Sequence, residues 1–190
     1  QVASLGASGA PMCTCGYEFF DDRTGRRTGV VRVEDGSNAL EGWLSLEGNG
    51  LALASAALIS RAALEELRLF NSEFSVSADL EFALRIADLG HLDSVPETLV
   101  RYRLHPRQMH RQVGGLAGDV GVLYDRVFAR KRNPSLERRC RANLAAHLGF
   151  SHLLRGRVDV ALPYLWRSFC CDPRRIFTLP VRAIGRRLGR

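Results

Sequence analysis

Asp79, Arg103 and His105 are the side chains of this 190-residue chain whose types and spacing could do chemistry together. Asp79 opens the stretch Ser77 to Gly90, and Arg103 and His105 close a later stretch that ends Tyr102-Arg103-Leu104-His105. A carboxylate at the mouth of a buried helix can accept a proton from a substrate hydroxyl. A guanidinium beside an imidazole can hold a diphosphate, or a metal ion bound to one. Both positions also admit plainer roles. A first-turn acid stabilises a helix start, and a histidine at a strand end can serve as a hydrogen-bonded structural residue.

The elements that must position these groups follow from spacing. Leu80, Ala83, Leu84 and Ala87 fall at i, i+3, i+4 and i+7, and Phe82, Ile86 and Leu89 add a second apolar line. Apolar residues on most of the circumference predict a buried helix. Ser77 is placed to be its N-cap and Gly90 its C′ residue. Asp79 then lies in the first turn, where free N–H groups and the helix dipole favour the ionised form. His91 to Val95 and Thr98 to Leu104 read as two short strands around Pro96-Glu97. In the second, Leu99, Arg101, Arg103 and His105 share one face, and Val100, Tyr102 and Leu104 share the other.

The passages SADLEFALRIADLG and VPETLVRYRLHPRQMH resemble the second half of a family 2 glycosyltransferase of the GT-A fold. Members often open a helix with an acidic pair in the sense EDxDLxLRLAxxG and follow it with a strand and YRxH. This chain has Ala78 where the glutamate is usual, keeps Asp79 and Arg85, keeps Tyr102, Arg103 and His105, and has His110 where a serine is common. The resemblance implies that Asp79 is the general base for the acceptor hydroxyl. It implies that Arg103 and His105 lie at the donor diphosphate, with His105 near a divalent cation, Mn or Mg. Ser60 to Leu67 followed by Phe70-Asn71 resembles the passage that shapes the acceptor side of the cleft. YEFFDDRTGRR resembles the connecting hairpin after the donor half, not the Asp-x-Asp element, which in the family precedes a segment like the one at Gln1.

The implied fold class is α/β: residues 1–112 as the acceptor-side part of a GT-A (nucleotide-diphospho-sugar transferase-like) domain, then residues 113–190 as an α-helical extension with a basic tail. The function implied is transfer of a sugar from a nucleotide-sugar to a saccharide or lipid-linked acceptor with inversion, in bacterial surface polysaccharide or glycoconjugate synthesis, by a fragment lacking the donor-binding half. The missing upstream elements and Ala78 keep a second reading in play, a non-catalytic helical adaptor on a degenerate transferase core.

Charge is unevenly spread. Residues 1–100 hold 7 arginines against 15 acids, a net −8, and residues 101–190 hold 20 Lys and Arg against 5 acids, a net +15. Such a basic half suits an anionic membrane surface or an anionic lipid-linked acceptor. A nucleic-acid role lacks a zinc finger, a Gly-rich RNA-binding motif or aromatic-interleaved strands. No apolar run reaches the roughly 18 residues of a membrane span, and the N-terminus lacks the features of a signal peptide. The five cysteines, Cys13, Cys15, Cys140, Cys170 and Cys171, include no C-x-x-C pair and read as reduced thiols. The expected location is therefore cytoplasmic, peripheral at the inner face of the membrane.

Along the chain, Gln1 to Gly9 reads as a helix end running into a turn. Met12 to Phe20 and Gly29 to Val33 read as a hairpin, with Asp21-Asp22 as turn residues rather than metal ligands. Asn38 to Leu46 reads as a short helix, broken by Gly48-Asn49-Gly50. Leu51 to Ile59 reads as a buried strand and Arg61 to Leu67 as a helix. Further on, Val120, Leu123, Tyr124 and Val127 share one helix face. Leu136 to Leu154 and Val160 to Cys171 resemble one helix–turn–helix unit of a tetratricopeptide-like repeat, in which Tyr164, Trp166 and Phe169 are expected in the core. Ile176 to Arg190 carries the spacing of a basic amphipathic helix, or of a solvated terminus.

Overall fold

In the computed structural model the described residues are 1–33, 36–47, 53–105 and 113–176. The chain divides into two compact units, residues 1–108 and 109–190. The readings at Gly48 to Ala52, at His110 and from residue 177 onward lie outside the described residues.

The first unit is mixed α/β. Its order is α1 (Val2–Ser8), β1 (Met12–Asp21), β2 (Arg27–Val31), α2 (Gly36–Leu44), α3 (Leu53–Ala56), β3 (Ala57–Ile59), α4 (Arg61–Leu67), α5 (Ala78–Ala87) and β4 (Asp93–Leu104). β1 is the centre of a four-stranded sheet. β2 pairs antiparallel along Tyr17–Phe20 and β3 antiparallel along Met12–Thr14, while β4 runs parallel to β1 from Cys13 to Asp21. A strand has two edges, so β2 and β3 lie end to end on one edge of β1 and β4 occupies the other. A parallel neighbour requires a crossover, and everything from Asp22 to Leu92 supplies it.

Local chemistry accounts for the element ends. Gly9 closes α1 with φ 66°, its N–H bonded to the Leu5 carbonyl, the left-handed backbone that glycine adopts without a Cβ penalty. Ser60 caps α4 by accepting the Ala63 N–H. Asp21 Oδ1 accepts both the N–H and the hydroxyl of Thr24 at 2.8 Å, the turn role expected for this acid. Ser4 and Ser8 of α1 both donate to the Asp93 carboxylate, tying α1 to the start of β4.

Three expectations are corrected. Among the described residues of Leu51 to Ile59, only Ala57–Ile59 is strand; Leu53–Ala56 is a helical turn. Alanine favours helix, and this alanine-rich run pairs with β1 only over its last three residues. The two strands around Pro96 are one strand, β4, whose register against β1 shifts at Gly16. The backbone of Glu97 passes so close to Gly16 that a Cβ there would lie 3.0 Å from its carbonyl oxygen. Gly90 does not end α5 in a left-handed turn; α5 stops at Asp88, whose N–H bonds the Arg85 carbonyl, while the Leu89 N–H bonds the Ile86 carbonyl.

The sheet core gathers Cys15, Tyr17, Val31 and Ala56, with Phe19, Val95, Val100 and Tyr102 packed against them. Tyr17, Phe19 and Tyr102 make edge and tilted ring contacts at 5.3–6.1 Å. Tyr102 therefore belongs to the core face, and the alternating residues Arg101 and Arg103 face outward, as the period of two requires.

The second unit is helical: α6 (Val113–Arg130), α7 (Pro134–Leu153) and α8 (Val158–Cys171). Asn133 caps α7 by accepting the Leu136 N–H, with Pro134 at the position where its missing N–H costs nothing. Gly156 at φ 73° turns the chain from α7 into α8. The two pack tightly, Gly149 facing Leu165 with no room for a Cβ, which would lie 2.7 Å from Leu165 Cγ and Cδ2. Val120, Leu123 and Tyr124 of α6 are buried as the spacing predicts. Trp166 and Phe169 are not: they are 67% and 43% exposed, stacked on each other at 5.8 Å, against the expectation of core positions. The face of α8 turned to α7 is instead the one bearing Ala161, Leu165 and Ser168.

Candidate functional site

α5 is buried through Leu80, Phe82, Ala83 and Ile86, as its two apolar lines predict. Asp79 stands in its first turn, half-buried. Its Oδ1 accepts the Leu80 N–H at 2.8 Å. Burial pushes the Asp79 carboxyl above its ordinary value, and the N–H groups of Leu80 and of Asp79 itself oppose the shift without cancelling it. The sequence reading, in which the helix start favours the ionised form, is corrected here. The carboxyl is desolvated more than the first turn compensates. Ser77 occupies the N-cap position, but its hydroxyl makes no cap bond, which withholds one source of order from the same turn.

The residues next to Asp79 do a different job. Glu81 is 8% exposed and forms a two-point ion pair with Arg85, Nε to Oε1 at 2.8 Å and Nη2 to Oε2 at 2.9 Å. Arg85 also donates to the Leu67 and Leu69 carbonyls and lies over the Phe82 ring at 4.9 Å. The arginine that the resemblance places inside the helix is thus a clamp. It fixes the chain leaving α4 against α5. Sequence reasoning passed over Glu81; the signal was its i, i+4 spacing to Arg85 on an otherwise apolar helix.

Arg103 and His105 lie at the far end of β4. Arg103 reaches Asp22 Oδ1 at 3.4 Å, and both groups are well exposed. Arg101 binds Glu18 at 2.8 Å and covers the Phe20 ring at 4.6 Å. Together Glu18, Asp22, Arg101 and Arg103 make a charged ladder across β1 and β4. An exposed pair of this kind contributes on the order of 0–1 kcal/mol. His105 follows the last strand residue and is half-buried. No hydrogen bond or ion pair among the described residues joins Asp79 to Arg103 or His105.

A cation finds little here to hold it. Among the described residues no three His, Cys, Asp or Glu side chains converge on one point. None of the five cysteines forms a disulfide; Cys13, Cys15 and Cys140 are buried, and burial raises the thiols of Cys13 and Cys15 above their ordinary value, as for inert core positions.

The second unit holds a cleft of about 150 Å³ whose lining includes Leu144, Leu148, Arg141, Tyr164 and Arg167. Arg141 already bonds Asp125 at 2.7 Å and Glu137 at 2.9 Å, so its charge is matched within the fold. Among the described residues no helix is long and apolar enough to cross a membrane. No protein-family model, curated protein or solved structure matches this chain.

Proposed function

We propose that the first unit is the acceptor side of a family 2-like glycosyltransferase of the GT-A type, working with a nucleotide-sugar donor. The observation that carries this reading is Asp79: a half-buried carboxyl in the first turn of a buried helix, with burial raising its proton affinity. A carboxylate with raised affinity is a stronger base once ionised. Its described hydrogen bonds come from its own turn, which leaves lone pairs for an acceptor hydroxyl. The acceptor O–H gives its proton to Asp79 as its oxygen bonds to the anomeric carbon. The bond from that carbon to the diphosphate breaks on the opposite face, with inversion. Arg103 and His105 offset charge on the departing nucleoside diphosphate. A divalent cation, Mn or Mg, supplies further positive charge to that diphosphate when bound, with one ligand from His105. Bacterial surface polysaccharide or glycoconjugate synthesis at the inner face of a membrane is the setting this reading suggests, with a saccharide or lipid-linked acceptor.

The test is calorimetric titration with uridine and guanosine diphosphate sugars, with and without manganese, followed by turnover. Metal-dependent binding that weakens about tenfold in His105→Ala and Arg103→Ala supports the reading. Asp79→Asn is expected to keep donor binding and lose at least about a hundredfold in rate. Ala78, where the family's glutamate is usual, favours a second reading, a non-catalytic helical adaptor on a degenerate core. That reading wins if no nucleotide-sugar binds under any condition and the Asp79→Asn chain is indistinguishable from the native one.

A further inference from the structure

One face of α8 is apolar, aromatic and uncovered. Val158, Leu162, Trp166 and Phe169 follow at i, i+4, i+8 and i+11 and so share a side of the helix. All four are exposed, Leu162 to 59% and Trp166 to 67%. Leu154, just before the turn into α8, is exposed as well. Arginines rim the stripe at both ends: Arg155 and Arg157 stand at the N-terminal end of α8 and Arg174 beyond its C-terminal end, all exposed. Of the acids in this segment, Asp159 is exposed, and Asp172 is bonded to Arg175 at 3.0 Å.

We propose that this face of α8 lies on an anionic lipid surface, with Trp166, Phe169 and Leu162 entering the headgroup boundary and the arginines meeting lipid phosphates. Three observations favour a bilayer over a second copy of the chain. The composition is that of an interfacial helix, an aromatic and aliphatic face bordered by cations. The stripe is small: with aromatic side chains of roughly 150–250 Å², the four exposures together come to on the order of 400 Å². That is about half of what each partner buries in a stable protein interface. Both ends are basic, so two copies stacked in either direction would set arginine against arginine. An anionic bilayer turns the same charges into attraction. The proposal stands on the second unit alone and does not depend on transferase activity.

The experiment is flotation of the full chain with vesicles of phosphatidylcholine alone and of phosphatidylcholine containing phosphatidylserine. Tryptophan emission is recorded in parallel. Trp43 is 8% exposed, so a lipid-induced blue shift reports Trp166. Binding to the serine-lipid vesicles only, weakened by salt, is expected. Trp166→Ser/Phe169→Ser should weaken it about tenfold and abolish the shift, with circular dichroism unchanged because both residues are exposed. Arg155→Glu/Arg157→Glu should remove the preference for anionic lipid while leaving the helix intact, since acids suit a helix N-terminus. Absence of vesicle binding overturns the proposal. So does binding that the Trp166→Ser/Phe169→Ser chain retains in full. Self-association of the native chain that those two substitutions abolish, without vesicle binding, assigns the face to a second copy instead.

Discussion

Asp79 and Asp93 flank the same helix and titrate in opposite directions. Asp93 is held below its ordinary value first by the Ser4 hydroxyl, with Ser94 and Ser8 adding to it. Asp79 is held above by burial. The linkage signs therefore differ. Asp93 contributes stability above the ordinary carboxylate range, and that contribution is lost as pH falls through its depressed value. Asp79 favours the fold only when protonated; its contribution is complete at low pH and disappears as pH rises through its raised value, so at neutral pH it weakens the fold. Asp79→Asn, which keeps an acceptor for the Leu80 N–H, should melt higher than the native chain at pH 7. The difference should shrink as the pH approaches 4. Thermal melts across that range check it, and equal melting temperatures at pH 7 would refute the account. A group that weakens the fold where it sits is a common mark of a functional position. Six residues on, Arg85→Met should cost on the order of 3 kcal/mol, because it strands the buried Glu81 carboxylate and releases two carbonyls. Chemical denaturation measures this, and Glu81→Gln/Arg85→Met should recover part of the loss.

At the scale of elements, the α7–α8 pair turns on Gly149 against Leu165. Gly149→Ala alone gains about 1 kcal/mol of helix propensity but overpacks the contact at a cost of about 1–3 kcal/mol, so a net loss is expected. In a Leu165→Ala background the same change should become stabilising, a sign reversal that a double-mutant cycle reads directly. What was legible in the sequence divides along physical lines. α5, the β1–β2 hairpin and the helices of the second unit were legible because burial repeats with the period of the element. The outward face of Arg101 and Arg103 followed from simple alternation. The run before Ile59 was misjudged because alanines carry no side-chain pattern that separates strand from helix. β4 was split at Pro96 because local rules see a breaker, whereas pairing along β1 and the absence of a side chain at Gly16 let the strand continue. Trp166 and Phe169 were misplaced because apolar character says that a residue can be covered, not that a neighbour covers it. The raised affinity of Asp79 depends on surrounding packing, which no local spacing records.

At the scale of the molecule, residues 1–108 carry ten Lys and Arg against fifteen acids, and residues 109–190 carry seventeen against five, net −5 and +12. Each unit has its own core, so substitutions should read out locally in amide exchange: Asp79→Asn in the first unit and Gly149→Ala in the second. The longest strand of the sheet, β4, has a further bearing on how the chain behaves at high concentration. Among the described residues β4 pairs only with β1, so a twelve-residue border presents backbone donors and acceptors that another extended chain could read. Pro96 removes one donor from that border, and Arg101 and Arg103 put repelling charges beside it. Proline and charged side chains on an edge strand discourage cross-β association. Replacing all three with valine should therefore leave the melting temperature of the soluble fraction nearly unchanged while soluble yield falls and thioflavin-positive material accumulates.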